Sequence, residues 1–465
     1  MSSFTLQSWW AASPARAHRT AIAAGGLVAV LVALSCVIWT SPSVRKAISA
    51  GAQAVVTADP FAAKSAALAK RVSTLQQQLW QEQGKMTALQ AASLSHQSQS
   101  ASQLAHLQQQ LISTQHELAA AQASHGAITS DAGTSVTAPS KAQLLDPTSR
   151  YYGMYTQQSP FNYADMNATS QKVGVQPNLV GYFQGWDHNF RADAVTDAWS
   201  HGQLPLLTWE SQPSTAGNND PDQPAYSLPT ILSGQFDAYI QNYAKSITAT
   251  GLPLVIRFDH EMNAVWYPWS QDDGHGNSIN GNASGDYVKV WQHIWNIFQA
   301  AGANQYVIWD WSPNIVNNLT ASHTTLAYTE SLYPGDRYVD WVGLSGYLRP
   351  PYSAGQSFTF NDTYGPSLAI LRAITNKKII LSEIGASDTG GHKPAWITSL
   401  FAALADPQNA DIVGFAWFDE AVTTYIDGVL GTNDWRVDSR PEALAAFIAG
   451  LTNPADNFVL TPAPS

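Results

Sequence analysis

Two glutamates stand where apolar runs give way to polar residues. Residues 251–269 read GLPLVIRFDHEMNAVWYPW, in which Leu252, Leu254, Val255, Ile256 and Phe258 make an apolar run short enough for one strand. A nearly continuous run of this kind suits a parallel strand covered on both faces. Arg257, Asp259, His260 and Glu261 crowd its carboxyl end, and Trp266, Tyr267 and Trp269 follow. Residues 378–387, KIILSEIGAS, repeat the pattern, with Ile379, Ile380 and Leu381 leading into Ser382 and Glu383. Two strand-end carboxyls are the minimum equipment for cleaving a glycosidic bond. One is held protonated for the leaving oxygen, and the other is ionised to attack the anomeric carbon. Retention of configuration requires the two to lie roughly 5–5.5 Å apart, a span that opposite strand ends of a barrel can supply. Burial among Trp266, Tyr267 and Trp269 would raise the Glu261 carboxyl and suit it to the acid's part.

The elements that must hold these residues alternate. Short apolar runs predict strands over 151–155, 179–183, 204–209, 252–258, 306–311, 341–347, 378–383 and 412–418, with helical stretches between them, including 236–247, 287–300 and 394–405. Within 287–300 the row Tyr287, Trp291, Ile294, Trp295, Phe298 steps by three or four residues and makes one apolar face, read as core packing. Eight strands alternating with helices predict an α/β fold, a closed (β/α)8 TIM barrel, with Glu261 ending strand four and Glu383 ending strand seven.

A chain of 465 residues accommodates one large domain plus accessories. A net charge of −11 argues against a nucleic-acid surface. Seventeen Trp and eighteen Tyr are enough both to fill a core and to offer flat rings to the apolar faces of sugars. The sole cysteine, Cys36, leaves the large domain without a disulfide. Residues 20–40, TAIAAGGLVAVLVALSCVIWT, carry no charge and read as one transmembrane helix in preference to a cleaved signal peptide or a lipidated Cys36. Basic residues flank it on both sides, Arg16 and Arg19 before and Arg45 and Lys46 after, so charge alone does not orient it. After a tail at 1–19 and this anchor, the heptad-like spacing of leucines over 62–125 reads as a coiled-coil stalk able to form a homo-oligomer. Residues 126–149 read as a flexible linker, 150–455 as the barrel domain and 456–465 as a C-terminal tail. No metal or other cofactor is expected, and the Asn/Asp run at 218–222 reads as a solvated loop rather than a calcium site.

The stretch R-F-D-H-E-M-N with its aromatics, S-G-Y at the sixth strand, S-E-I-G at the seventh and A-W-F-D at the eighth resemble the family 26 glycoside hydrolases. These are retaining β-glycanases of clan A, most of them endo-β-mannanases. The resemblance spans residues 150–451 and implies that Glu261 is the acid/base and Glu383 the nucleophile. It further implies that His260 positions the sugar or a carboxylate, that Trp266 lies near the cleavage point, and that Tyr347 hydrogen-bonds the nucleophile. Trp417 would form the sugar platform, and Arg257 would sit beneath the pair and, with Tyr347, keep Glu383 ionised. Trp186, His188 and Trp209 are candidates for lining the cleft or for packing the core, and Asp310 for meeting a sugar hydroxyl or supporting the site. The chain departs from the mannanase pattern at Trp209-Glu210, where Trp-His is frequent, and at Ser345, where Asp is frequent. The substrate therefore stays open between β-mannan, first, and β-glucan, xylan or a self-produced exopolysaccharide. The expectation is a membrane-anchored retaining endo-β-glycosidase acting on a polysaccharide in the periplasm or cell exterior. Its alternative is a carbohydrate-binding or scaffold protein of a polysaccharide export or synthesis complex.

Overall fold

The computed structural model describes residues 136–463, apart from 218, 353, 354, 427 and 428, and without the side chains of 318 and 423–431. The expected anchor at 20–40 and stalk at 62–125 lie outside the described residues. Among those described, no helix is long and apolar enough to cross a membrane.

Eight parallel strands close on one another: β1 (Tyr151–Tyr155), β2 (Leu179–Gly185), β3 (Leu204–Glu210), β4 (Leu254–Phe258), β5 (Val307–Trp311), β6 (Trp341–Leu348), β7 (Ile379–Ala386) and β8 (Ile412–Phe418). β1 pairs with both β2 and β8, so the sheet has no free edge and the fold is the (β/α)8 barrel. The main departure from the expected strands is at β4, which starts after Pro253 and ends at Phe258, leaving Glu261 in the turn beyond it. Helices Asp237–Thr250, Asp286–Ala300 and Lys393–Ala405 cover the barrel close to their expected positions.

Strand parity explains the layering. Alternate side chains point out to the helices, where Trp209 stacks on Tyr243 at 4.5 Å, Phe258 lies 5.8 Å from Trp291, and Trp309 lies 5.0 Å from Phe298. The expected apolar face of the helix Asp286–Ala300 buries Tyr287, Trp291, Ile294 and Phe298. Trp295 stays half-buried and meets Tyr338 edge-on. The opposite parity fills the barrel interior with polar groups: Thr208, Arg257, Asp310, Ser345 and Ser382, all inaccessible to solvent. A β-carbon at Gly343 would lie 2.5 Å from atoms of Asp310, Ser312 and Ser382, so this layer requires a glycine on β6.

Two stretches expected to be linker and tail are partly built into the domain. Within 126–149, Lys141–Leu145 is a helix with a Ser140/Gln143 capping box. Its Leu144 and Leu145 carbonyls accept from Tyr151 Oη and Trp341 Nε1, and Lys141 pairs with Asp340 at 2.7 Å. Within 456–465, Phe458 bridges to Arg150 and the Ala463 amide donates to the Gly174 carbonyl. For the tail a further reason is Arg150, whose buried guanidinium needs acceptors and finds them in the Ile412 and Asp456 carbonyls.

One close internal approach gives a stability test. A β-carbon on Gly181 would lie 2.3 Å from the Tyr155 ring, which is itself pinned by a hydrogen bond to the Ser382 carbonyl. Gly181→Ala is expected to lower unfolding free energy by about 1–3 kcal/mol in chemical denaturation. Gly217→Ala, which meets nothing within 4 Å, should leave it unchanged.

Candidate active site

Arg257 points inward from β4 with no solvent exposure. A guanidinium carries five donors, and in a buried place each needs an acceptor. Its Nη1 donates to Glu383 Oε2 at 2.7 Å and to Thr208 Oγ1 at 3.1 Å, its Nε to Ser312 Oγ at 3.0 Å, and its Nη2 to Ser345 Oγ. Burial opposes the positive charge, but the charges of Glu383, Tyr155, Glu261 and Asp310 outweigh it and hold the guanidinium above its ordinary range. The other oxygen of Glu383, Oε1, accepts the Tyr347 hydroxyl.

Glu383 reaches this position because β7 carries one residue too many. Against β6, Ile380 pairs with Gly343 but Glu383 with Ser345, so three steps on β7 match two on β6. Against β8, Leu381 pairs with Phe415 and Ile384 with Trp417, again three steps against two. This bulge lets consecutive residues serve the interior: Ser382 Oγ donates to Asp310 Oδ2 at 2.6 Å, and Glu383 meets Arg257 and Tyr347.

Glu261 is aimed by a strained turn. Asp259 has φ 39° and Glu261 φ 55°, left-handed conformations that non-glycine residues adopt at a cost of order 1–3 kcal/mol each. The turn is held by the Asp259 carboxylate, which accepts from the Ser211 amide and hydroxyl, both at 2.7 Å. The Glu261 amide donates to the Ser312 carbonyl at 2.8 Å, and Trp269 Nε1 donates to the His260 carbonyl at 2.7 Å. Burial first, and the Glu383 charge second, raise the Glu261 carboxyl, while Arg257 and the Trp266 indole, which donates to Oε2 at 2.9 Å, work against the rise. Tyr267 and Trp269 stack on each other at 4.4 Å beside His260, one step removed from the expected surround of Glu261.

His260 is buried. Tyr267 Oη lies 3.1 Å from its Nε2, Nδ1 has no hydrogen-bond partner, and burial followed by the Arg257 charge pushes the ring well below its usual range. Asp310 is fully buried beneath Ser382, and burial pushes its carboxyl up to about 7, so it supports the barrel floor and has no access to a sugar. His188 lies exposed beside Asp187, away from the interior.

Three expected cleft aromatics face the wrong way. Trp417 is fully buried, donates to the Trp435 carbonyl, and packs edge-on to Trp396 and Phe447 in the helical shell. Trp209 stacks on Tyr243 of a covering helix, and Trp186 packs between Trp209 and Phe236. None of the three has a face free for a sugar. The rings that do border the mouth are others. Phe183 is 41% exposed, 5.3 Å from Tyr155 and 6.2 Å from His260. Phe418 lies 6.1 Å from Tyr347. Trp435 lies 5.0 Å from Tyr347, with its indole nitrogen buried and unpartnered. Strand parity counted from Thr208 points to Glu210 and the pairing of Phe418 with Tyr155 places it beside that ring, whereas Trp435 follows the hairpin of β9 (Ala421–Ile426) and β10 (Val429–Asp434) and has no local signal.

A closed parallel barrel with two carboxyls at its carboxyl-terminal mouth, held by unlike partners around one buried arginine, has the groups that cleavage of a glycosidic bond requires. Residues 207–384 match the family model described as Glycosyl hydrolase family 26. The chain is 30% identical over 339 residues to Endoglucanase H of Acetivibrio thermocellus, covering 67% of this chain and 34% of that protein. It thus spans about a third of the length of that relative. It is 23% identical over 297 residues to a mannan endo-1,4-beta-mannosidase of Bacillus subtilis, covering 58% of this chain and 73% of that protein. Among solved structures, the catalytic domain of the Bacillus sp. JAMB-750 GH26 endo-beta-1,4-mannanase superposes with a TM-score of 0.49 at 18% identity, covering 66% of this chain and 86% of that one.

Removing the central cation leaves the Glu383 carboxylate buried against Thr208, Ser312 and Ser345 without a counter-charge. Arg257→Met is therefore expected to cost about 3–5 kcal/mol of unfolding free energy. Equilibrium denaturation of the two proteins measures it.

Proposed function

We propose that this chain is a retaining endo-β-glycosidase, with Glu261 as acid/base and Glu383 as nucleophile. The observation that supports this best is the division of labour between two carboxyls sharing one mouth. Burial and the Glu383 charge favour the neutral form of Glu261, while Glu383 is gripped by Arg257 and Tyr347. In the first step Glu261 gives its proton to the glycosidic oxygen as that bond breaks, and a Glu383 oxygen bonds to the anomeric carbon. In the second, Glu261, now a carboxylate, takes a proton from water as the water oxygen displaces Glu383 and restores both groups. Arg257 and Tyr347 orient Glu383 through both steps, and Trp266 keeps the Glu261 carboxyl in a fixed rotamer. The names of the two relatives, one an endoglucanase and one a mannan mannosidase, fit a β-linked hexose polymer, with β-mannan first and β-glucan second.

Polymers of this kind lie outside the cytoplasm, so the domain acts in the periplasm or at the cell exterior. The uncharged run at 20–40 would tether it to a membrane and the leucine-patterned stretch at 62–125 would hold it away.

Reducing-sugar release from β-mannans, mixed-linkage glucans and xylans tests the reading. Glu383→Ala should abolish release. Glu261→Ala should lose about 10²–10⁴-fold on polymer yet retain far more activity on aryl glycosides, whose leaving groups need no proton. A folded protein that binds these glycans and cleaves none of them would favour a binding or scaffold role. The pH profile carries a further sign. Trp266 donates to the ionised form of Glu261, so Trp266→Phe should raise the acid's pKa and move the alkaline limb of kcat/KM to higher pH. A limb that stays or moves down would exclude Glu261 as the titrating acid.

A further inference from the structure

The two residues that end the stretch R-F-D-H-E-M-N have no part in the two-step mechanism, and the second of them, Asn263, is fully buried. A buried carboxamide needs partners for its donors and its acceptor. Asn263 finds them on a residue beyond β5: its Nδ2 donates to the Asn314 carbonyl and its Oδ1 accepts the Asn314 amide, both at 2.8 Å. A neighbouring strand would make bonds of this kind. Residues 313–315 run on from β5 and pair on one side with β6, where the Ile315 amide donates to the Ser345 carbonyl and the Ser345 amide to the Pro313 carbonyl. On the other side β4 has ended at Phe258, and its chain turns away through the left-handed residues Asp259 and Glu261. The Asn263 side chain takes the place of that strand. Its backbone is fastened as well: the Asn263 carbonyl lies 2.9 Å from His323 Nδ1, and the His323 ring is fixed by Asp272 at 2.8 Å from Nε2 and by Tyr328 stacked at 3.9 Å.

We propose that Asn263 and Asn314 are positioning residues for Glu261: the Asn263 carboxamide replaces the strand neighbour that residues 313–315 lack on the β4 side, and so holds the Asn314 side chain against the acid/base. Asn314 is buried, and its side chain hydrogen-bonds the Glu261 carboxyl, where with the Trp266 indole it favours the ionised form against the rise that burial and the Glu383 charge impose. Trp266 reaches Glu261 from five residues along the same loop, whereas Asn314 comes from beyond β5, so the two bonds tie one carboxyl to two separate loops. The Glu261 amide, bonded to the Ser312 carbonyl, ties its backbone to the same post-β5 segment. A general acid works only when its proton lies within hydrogen-bond reach of the leaving oxygen, so a carboxyl free to change rotamer gives up part of that advantage.

The proposal rests on the glycosidase reading for what Glu261 does, and the test separates the two. The full chain and its Asn314→Ala, Asn314→Asp and Asn263→Ala variants are assayed on a β-linked hexose oligosaccharide and on the dinitrophenyl glycoside of the same sugar. kcat/KM reports the first bond cleavage, and dinitrophenolate leaves without a proton, so the second substrate is blind to the acid. Each variant should lose about 10–100-fold on the oligosaccharide and less than about threefold on the activated compound, with the alkaline limb on the oligosaccharide moved to higher pH. Asn314→Asp, nearly isosteric but no donor when ionised, should lose at least as much as Asn314→Ala, which guards against an effect of lost packing. Where Asn263→Ala does not fold, Asn263→Asp, which keeps one of the two bonds to Asn314, carries the same expectation. Equal losses on the two substrates, or an alkaline limb that stays in place, would overturn the assignment. Absence of Glu383-dependent turnover would defeat the glycosidase reading alone. The infrared band of the protonated Glu261 carboxyl, identified by its loss in Glu261→Gln, then decides: a titration moved to higher pH in the Asn314 and Asn263 variants upholds the positioning role, and an unmoved one refutes it.

Discussion

One buried cation holds the mouth of this barrel together. Arg257 has no contact with water, so its charge is tolerable only because every direction around it offers an acceptor. Those acceptors come from different walls: Thr208 on β3, Ser312 just past β5, Ser345 on β6 and Glu383 on β7. A planar guanidinium has a fixed fork of donors, which makes it a jig for the side chains it binds. The desolvation of this ion is offset only when those strands stand in register, so barrel closure and placement of Glu383 depend on the same contact.

The two candidate catalytic carboxyls are held by different means. Glu383 sits on a strand, and an inserted residue in β7 turns it and Ser382 both toward the interior. Glu261 sits beyond a strand, on a turn with two left-handed residues fastened by Ser211, Ser312 and Trp269. Irregular backbone appears at both places because regular strands alternate their side chains and cannot deliver adjacent groups to one spot. The surrounding hydrogen bonds offset the strain, and the result is two carboxyls close enough to feel each other's charge yet held by different partners, Arg257 and Tyr347 for one and Trp266 for the other.

Much of this was legible before any fold was known. The apolar runs marked all eight strands, because a barrel strand is covered on both faces and its sequence is correspondingly continuous. Arg257, Glu261 and Glu383 stood out as charges at the ends of such runs, where a polar residue has no place in a core. The ordered parts of 126–149 and 456–465 were not legible, since the Ser, Thr, Ala and Pro that compose them suit a linker as well as a chain sealing the barrel floor. Their order comes mainly from partners distant in sequence, Trp341, Asp340 and Gly174.

The aromatics show where local reading stops. Continuity of the apolar run makes a strand easy to see, and the same continuity hides its parity, because both faces look alike when both are buried. Trp417 therefore looked as eligible for the cleft as Phe418, and Trp209 more so than Glu210, until packing against Phe447 and Tyr243 fixed which side faces the helices. Trp435 arrives beside Tyr347 only through the return of a hairpin. The sequence by itself determined the alternation of strands and helices and the two carboxyls with their arginine, because these are local patterns of polarity. Only the tertiary structure decided which rings border the mouth and that Asn263 and Asn314 meet beside Glu261, because those facts depend on strand parity and on contacts between residues far apart along the chain.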